Sequence, residues 1–268
     1  MLREHARELV EIVRLSFVRT FQCNICGTRN AFPAEGLGRE DQSCRTCCST
    51  VRMRAVVHVL SQELFGSSLT LAAFPCRKDL VGIGLSDWDV YAKELAARFD
   101  YTNTFFDAEP RLDVTRVDPA RASSADFLIG SDVFEHVAPP VASAFDGAAR
   151  LLKPGGLLVF TVPYVIDRDD TREHFPELHE FQLVAREDGQ RVLVNTTADG
   201  RRQEFEDLVF HGGDGMTLEM RVFTRTDLLR HLERSGFVDV KIHALPEPRY
   251  GILWRDAWSL PLSARKRQ

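Results

Sequence analysis

Two stretches decide how this chain folds. The first is Asp126-Phe127-Leu128-Ile129-Gly130-Ser131-Asp132-Val133-Phe134-Glu135-His136-Val137. The second is Arg150-Leu151-Leu152-Lys153-Pro154-Gly155-Gly156-Leu157-Leu158-Val159-Phe160. Each holds a short apolar run bounded by small or turn-forming residues, the pattern of a strand buried on both faces. Between them Val141 to Leu152 has helical spacing, and Lys153-Pro154-Gly155-Gly156 is a tight turn before the uncharged run Leu157 to Val162. Strand, helix, turn and strand in that order make the repeating unit of a parallel sheet.

Outward from this unit the alternation continues. Upstream, Leu69 to Phe74, Leu80 to Gly84 and Tyr101 to Phe106 are strand-like, and Ala92 to Phe99 is helical. Downstream, Thr224 with Asp227 three residues later opens a helix whose Leu228, Leu229 and Leu232 face inward and which Gly236 ends. Val238 to Ala244 alternates as a half-buried strand, with Tyr250 to Trp254 as its expected partner; Arg265-Lys266-Arg267 reads as a solvated tail. The fold class is therefore α/β, an open doubly wound sheet with helices on both faces. Residues 165–223 break the alternation. They contain a hairpin, Glu180 to Thr196 around Glu187-Asp188-Gly189, and a loop at His211-Gly212-Gly213-Asp214-Gly215, and together read as a β-rich, lid-like insertion.

The N-terminal part has its own organisation. Residues 1–21 read as an amphipathic helix packed on the rest of the protein. Residues 22–66 hold a module poor in aliphatic residues and then a helix carrying Val51, Ala55, Val56, Val59, Leu60 and Leu64 on one face; residues 67–268 form the α/β domain. The module cannot build a core of its own and needs a staple. Cys23-x2-Cys26, 17 intervening residues and Cys44-x2-Cys47 supply one, with the spacing of a zinc ribbon holding a closed, structural Zn²⁺. Reduced structural thiols and a redox pair are the competing readings, and the adjacent Cys48 could replace Cys47 as ligand. Cys76 stands alone and reads as a buried thiol.

The net charge of -5 argues against a nucleic-acid partner. No run of about 18 apolar residues occurs, so no membrane partner is expected. Met1 to Phe21 mixes acids and bases without a signal-peptide core, and the expectation is a cytoplasmic protein.

The candidate ligand site follows the first strand of the domain. Val81-Gly82-Ile83-Gly84-Leu85-Ser86 lets backbone approach a ligand closely, while the absence of a third glycine speaks against a nicotinamide dinucleotide. Asp107 and Glu109, after the next strand, can accept hydrogen bonds from ribose hydroxyls, and Asp113 beside Val114 can take an adenine amino group.

The sequences Ser131 to Val137 and Arg150 to Pro163, in this order and spacing, resemble the fourth-strand and pre-fifth-strand motifs of class I S-adenosylmethionine-dependent methyltransferases. With the upstream cysteine module followed by Arg52 and Arg54, the chain is similar to a bacterial group of such enzymes that carry zinc ribbons. The resemblance implies a Rossmann-like, seven-stranded sheet of order 3-2-1-4-5-7-6. It implies S-adenosylmethionine as cofactor, with Gly82, Gly84 and Ser86 along its methionine part and Asp107 or Glu109 at the ribose. Asp113 and Val114 fall at the adenine, and Ser131, Asp132 and Val133 on the sulfonium side. The first motif departs from the family, which has an acid before its first glycine and three glycines.

Methyl transfer needs alignment above all, with a base where the acceptor is an alcohol or amine. Glu135, His136 and Tyr164 are the catalytic candidates, and His174, His179 and His211 further ones; metal binding at His174 and His179 competes with plain loop hydrogen bonding. The polar, aromatic insertion suits a small-molecule or glycan acceptor. The alternative function is a catalytically silent binding module that uses the ribbon to hold a partner.

Overall fold

The computed structural model describes residues 19–33, 37–211, 217–255 and 258–268. The N-terminal helix expected over residues 1–21 lies almost wholly outside them; where it is described, Arg19 to Phe21 belong to a strand instead.

That strand, β1 (Arg19–Gln22), pairs antiparallel with β2 (Arg29–Phe32). Helix α1 (Val51–Phe65) follows, opened by Thr50, whose hydroxyl accepts from the Met53 amide, and closed by Gly66 at φ +67°. The main sheet then begins with β3 (Arg77–Leu85), α2 (Asp89–Arg98), β4 (Phe99–Thr104), β5 (Ala125–Ser131), α3 (Ala142–Leu151) and β6 (Leu152–Thr161). Eight short strands come next: β7 (Tyr164–Val165), β8 (Arg172–Glu173), β9 (Glu180–Ala185), β10 (Arg191–Thr196), β11 (Arg202–Phe205), β12 (Phe210–His211), β13 (Thr217–Leu218) and β14 (Arg221–Thr224). The chain returns to the sheet through α4 (Arg225–Arg234), β15 (Phe237–Ile242) and β16 (Leu262–Lys266).

The sheet order is β15-β16-β6-β5-β3-β4, with β16 antiparallel to both neighbours and β3 to β6 parallel. The mixed α/β fold is the one expected, and six of the seven strands stand in the expected order. The position of the third strand is not taken by a strand among the described residues. There the chain makes one isolated bridge, Phe105 with Arg111, and then turns. The Asp113 carboxylate accepts from the Thr115 amide and hydroxyl, a local bond that competes with sheet pairing, and Pro110 and Pro119 remove amide donors on either side.

Two-residue periodicity divides the core. Leu128, Leu158 and Phe160 face α3 and α4; Phe127, Ile129, Leu157 and Val159 face α1, α2 and the cysteine module. The module therefore shares its core with the sheet. Arg54, fully buried, ties it down further: its guanidinium donates to the carbonyls of Ser49, Tyr250 and Gly251 and lies over the Phe21 ring. The insertion gathers a small core of its own around Phe175, Leu193, Leu218 and Met220.

Four expectations for single segments are corrected. Leu69 to Phe74 is not a strand but holds a 3-10 turn at Leu71–Ala73. The partner of β15 is not Tyr250 to Trp254, which forms a 3-10 turn and a single bridge, but Leu262–Lys266. The basic run there is not a solvated tail. Leu262 and Ala264 are buried, while Arg265 and Lys266 extend to the carbonyls of Glu63 and Leu152. Cys76 is exposed. No described helix is long and apolar enough to cross a membrane.

Candidate active site

Chain order and sheet order part company beside β3. The chain passes from β3 to β4 on one flank, then crosses to β5 on the other. In open α/β sheets the carboxyl ends at such a switch point form the ligand crevice. Here those ends are Leu85-Ser86 and Ser131-Asp132, and both Ser86 and Asp132 adopt left-handed conformations at φ +55°. Ser86 thus makes, without glycine, the turn that a third glycine would make.

The two glycines serve packing from within the sheet. A side chain at Gly82 would collide with the Phe127 ring, and one at Gly84 with the Tyr101 hydroxyl and the Asp87 carboxylate. Asp87 is buried and receives the hydroxyls of Tyr91 and Tyr101; burial pushes its carboxyl up to about 7 against those bonds. At the edge of the crevice Asp107 and Glu109 are exposed, and Glu109 accepts from the Arg111 amide. Val114 is buried, Asp113 is half-buried in its turn, and Val133 packs half-buried against the core.

At the tip of β5, Asp132 is held by Arg39 of the cysteine module and Arg52 of α1. Arg39 donates to both carboxylate oxygens at 2.6 and 2.9 Å, and Arg52 lies 3.1 Å away while donating to the Ser131 hydroxyl at 2.6 Å. The Thr161 hydroxyl adds a bond at 2.7 Å. Burial would raise the Asp132 carboxyl, but Arg52 and Arg39 hold it well below the usual carboxylate range.

One turn further, residues Phe134–His136 present a cluster of acids and imidazoles. Glu135 is fully buried, and neither of its carboxylate oxygens has a hydrogen-bond partner among the described residues. Burial, with Asp132 nearby, raises its carboxyl well above the ordinary value. His136 Nε2 and His211 Nδ1 stand 3.7 and 3.6 Å from Glu135 Oε1. Glu219 receives His211 Nε2 at 2.7 Å and His174 Nε2 at 2.8 Å; burial opposes its ionisation, but these two bonds bring it down to about 2. Buried Arg221 fixes the turn by donating to the carbonyls of Phe134 and Val137.

The structure thus brings Glu135, His136 and His211 together and adds His174 through Glu219. His179 is exposed and lies apart, with its amide on Asn195. Tyr164 is buried in the core, its hydroxyl without a hydrogen-bond partner among the described residues. Glu219 and Arg39 are the residues of this candidate site that sequence reasoning missed. Glu219 carries a faint signal, a lone acid between the apolar Leu218 and Met220; Arg39 carries none.

In the module, the sulfur atoms of Cys23, Cys26, Cys44 and Cys47 lie within 4.8 Å of one another. Each cysteine pair ends in the same turn. The Gly27 amide bonds the Cys23 carbonyl and the Cys48 amide the Cys44 carbonyl, both at 2.8 Å, with φ of +78° and +56°. Cys48 is therefore the turn residue, exposed and outside the four-sulfur group.

A family model described as a methyltransferase domain matches residues 66–242, about two thirds of the chain. No curated protein matches. Among solved structures the chain is similar to a 1,6-didemethyltoxoflavin-N1-methyltransferase of Burkholderia thailandensis, at 17% identity over 81% of this chain and 79% of that one, with a TM-score of 0.43. It is also similar to the sugar N-methyltransferase KedS8 of a Streptoalloteichus species, at 14% identity, 81% and 87% coverage and a TM-score of 0.45. A Clostridium acetobutylicum S-adenosylmethionine-dependent methyltransferase gives 10%, 78% and 97%, and 0.41. With the fold and the matched family in agreement, this chain belongs to the class I S-adenosylmethionine-dependent methyltransferases.

Proposed function

We propose that the enzyme transfers the methyl group of S-adenosylmethionine to a small polar or glycan-type acceptor at the carboxyl edge of β3, β4 and β5. The observation that carries this reading is the acid and imidazole cluster of Glu135, His136 and His211, one turn beyond Asp132 at the switch point. The main chain from Gly84 to Ser86 would border the methionine end of the cofactor, Asp107 or Glu109 the ribose, and Asp113 with Val114 the adenine. Ser131, Asp132 and Val133 would lie on the sulfonium side. When bound, the cofactor supplies an electrophilic methyl group, so the protein's chief task is alignment. His136 or Glu135 would take the proton of a hydroxyl or amine acceptor, and the insertion would cover the site. Tyr164, whose hydroxyl lies in the core without a hydrogen-bond partner among the described residues, is the third candidate base.

The four-cysteine group fits Zn²⁺. Tetrahedral Zn–S bonds of about 2.3 Å place ligand sulfurs about 3.8 Å apart, and Cys23–Cys47 and Cys26–Cys44 stand at 3.7 and 3.5 Å. With four protein ligands such a site is closed, and its role here is to hold Arg39 and Arg52 against Asp132.

Calorimetric titration of zinc-replete protein with S-adenosylmethionine and S-adenosylhomocysteine, followed by label transfer from methyl-labelled cofactor to hydroxylated and amino acceptors, tests the reading. Micromolar binding and labelled product are expected. Folded protein that binds neither compound would overturn it.

A further inference from the structure

We propose that Glu135, His136 and His211 form a second metal site, separate from the cysteine module, that takes one divalent transition-metal cation. The hydrogen-bond pattern of the two imidazoles carries this. His136 Nδ1 lies 2.8 Å from the Leu218 carbonyl, which can only accept, so Nδ1 bears the proton and the Nε2 lone pair is directed elsewhere. His211 Nε2 lies 2.7 Å from a Glu219 oxygen and donates to it, leaving the Nδ1 lone pair of the neutral ring. These two lone-pair nitrogens are the atoms that stand 3.7 and 3.6 Å from Glu135 Oε1.

Those separations are too long for hydrogen bonds, which span about 2.7–3.2 Å. They are close to what two metal–ligand bonds of about 2.1 Å subtend at a tetrahedral centre, about 3.4 Å. All three ligand atoms fall within 4.8 Å of one another. A fully buried carboxylate with both oxygens unpartnered among the described residues would be costly alone; a cation between it and the imidazoles removes the cost. The outer contacts also fit a metal centre, because each imidazole is oriented through its other nitrogen by a carbonyl or a carboxylate. Two imidazoles and one carboxylate suit Zn²⁺, Co²⁺, Mn²⁺ or Fe²⁺ and leave coordination positions open to an oxygen ligand.

Cation binding does not depend on the methyl-transfer reading and is measured without it; where the cation is bound, Glu135 and His136 hold it instead of taking the acceptor's proton. The probe is Co²⁺, titrated into full-length protein whose cysteine module is loaded with Zn²⁺, followed by visible absorption and by thermal melting. One Co²⁺ per chain is expected, with d–d bands of nitrogen and oxygen ligation, no thiolate charge-transfer band and a rise in melting temperature. Glu135→Gln and His211→Ala should weaken Co²⁺ at least tenfold while keeping one Zn²⁺ per chain. Glu135→Gln keeps the size of a buried side chain that has no hydrogen-bond partner among the described residues, so its metal-free form should melt no lower than wild type, which separates lost ligation from lost folding. Glu219→Gln keeps all three ligands but loosens His211, and an intermediate loss is expected. Co²⁺ bands of thiolate character only, or binding unchanged in Glu135→Gln and His211→Ala, would overturn the proposal.

Discussion

Arg39, in the loop between the two cysteine pairs, closes both arms of its guanidinium on Asp132, 93 residues away, with bonds of 2.6 and 2.9 Å. A fork of this kind fixes direction as well as distance. It makes the cysteine module part of the switch-point crevice.

Asp132→Asn should cost about 3 kcal/mol near neutral pH, because it removes one partner of a half-buried charge network. The Asp132 carboxyl is depressed below its ordinary 3.8 in the folded state. Its contribution is therefore fully present above that value and lost as pH falls toward the folded one. Urea melts should show a constant gap between wild type and variant from about pH 5 to 8. The gap should narrow below about pH 4; a gap that widened in acid would contradict the assignment.

Asp87 behaves in the opposite sense. Its carboxyl titrates at about 7 in the fold against 3.8 for a free side chain. The folded state thus holds a proton that the unfolded chain has released, and this stabilisation, complete below 3.8, is lost as pH rises to about 7. Asp87→Asn, which keeps acceptor capacity for a tyrosine hydroxyl, should flatten the fall in stability across that interval by a few kcal/mol. Equal slopes in the two proteins would show that Asp87 is not protonated.

Asp107→Ala together with Glu109→Ala should weaken cofactor binding at least tenfold. Both residues are exposed, so melting temperature should scarcely change. Calorimetry alongside a thermal melt separates the two effects, and unchanged affinity would remove these acids from the ribose.

Chelation of the cysteine module should release one zinc and, by freeing Arg39 and Arg52, weaken cofactor binding at least tenfold. Cys44→Ser should reproduce this. Cys48→Gly should not: it substitutes the residue that suits φ +56°, so zinc content should stay the same and stability rise by about 1 kcal/mol. Loss of zinc in Cys48→Gly would instead make Cys48 a ligand.

How much of this was legible in the sequence follows from the range of the forces involved. Leu157 to Val162 and Asp126 to Gly130 declared themselves as strands because burial on both faces demands uninterrupted apolar residues. Thr224 and Asp227 declared a helix start, and the Thr224 hydroxyl accepts from the Asp227 amide as expected. Glu180 to Thr196 formed its hairpin for the same local reasons. What escaped was decided at long range. Leu262–Lys266 looks basic and terminal; its place between β6 and β15 depends on carbonyls more than 100 residues away. The third strand was lost to Asp113, whose side chain closes a turn. At the site, Glu135 and His136 could be singled out beside a strand end, and His211 as one of several histidines. Glu219 and Arg39 could not, since their meaning comes only from partners in other elements.

The placement of β16 between β6 and β15 also sets an order of events during synthesis. Strands β3 to β6 can assemble as soon as they leave the ribosome, since β4, β5 and β6 each pair with a strand already made. β15 has no edge to join until residues 262–266 have emerged, because among the described residues its only neighbour in the sheet is β16. Until then Phe237, buried in the finished sheet, has no strand beside it, and the uncovered edge of β6 is open to other chains. The nascent protein is thus most vulnerable to mispairing just before its sheet is completed.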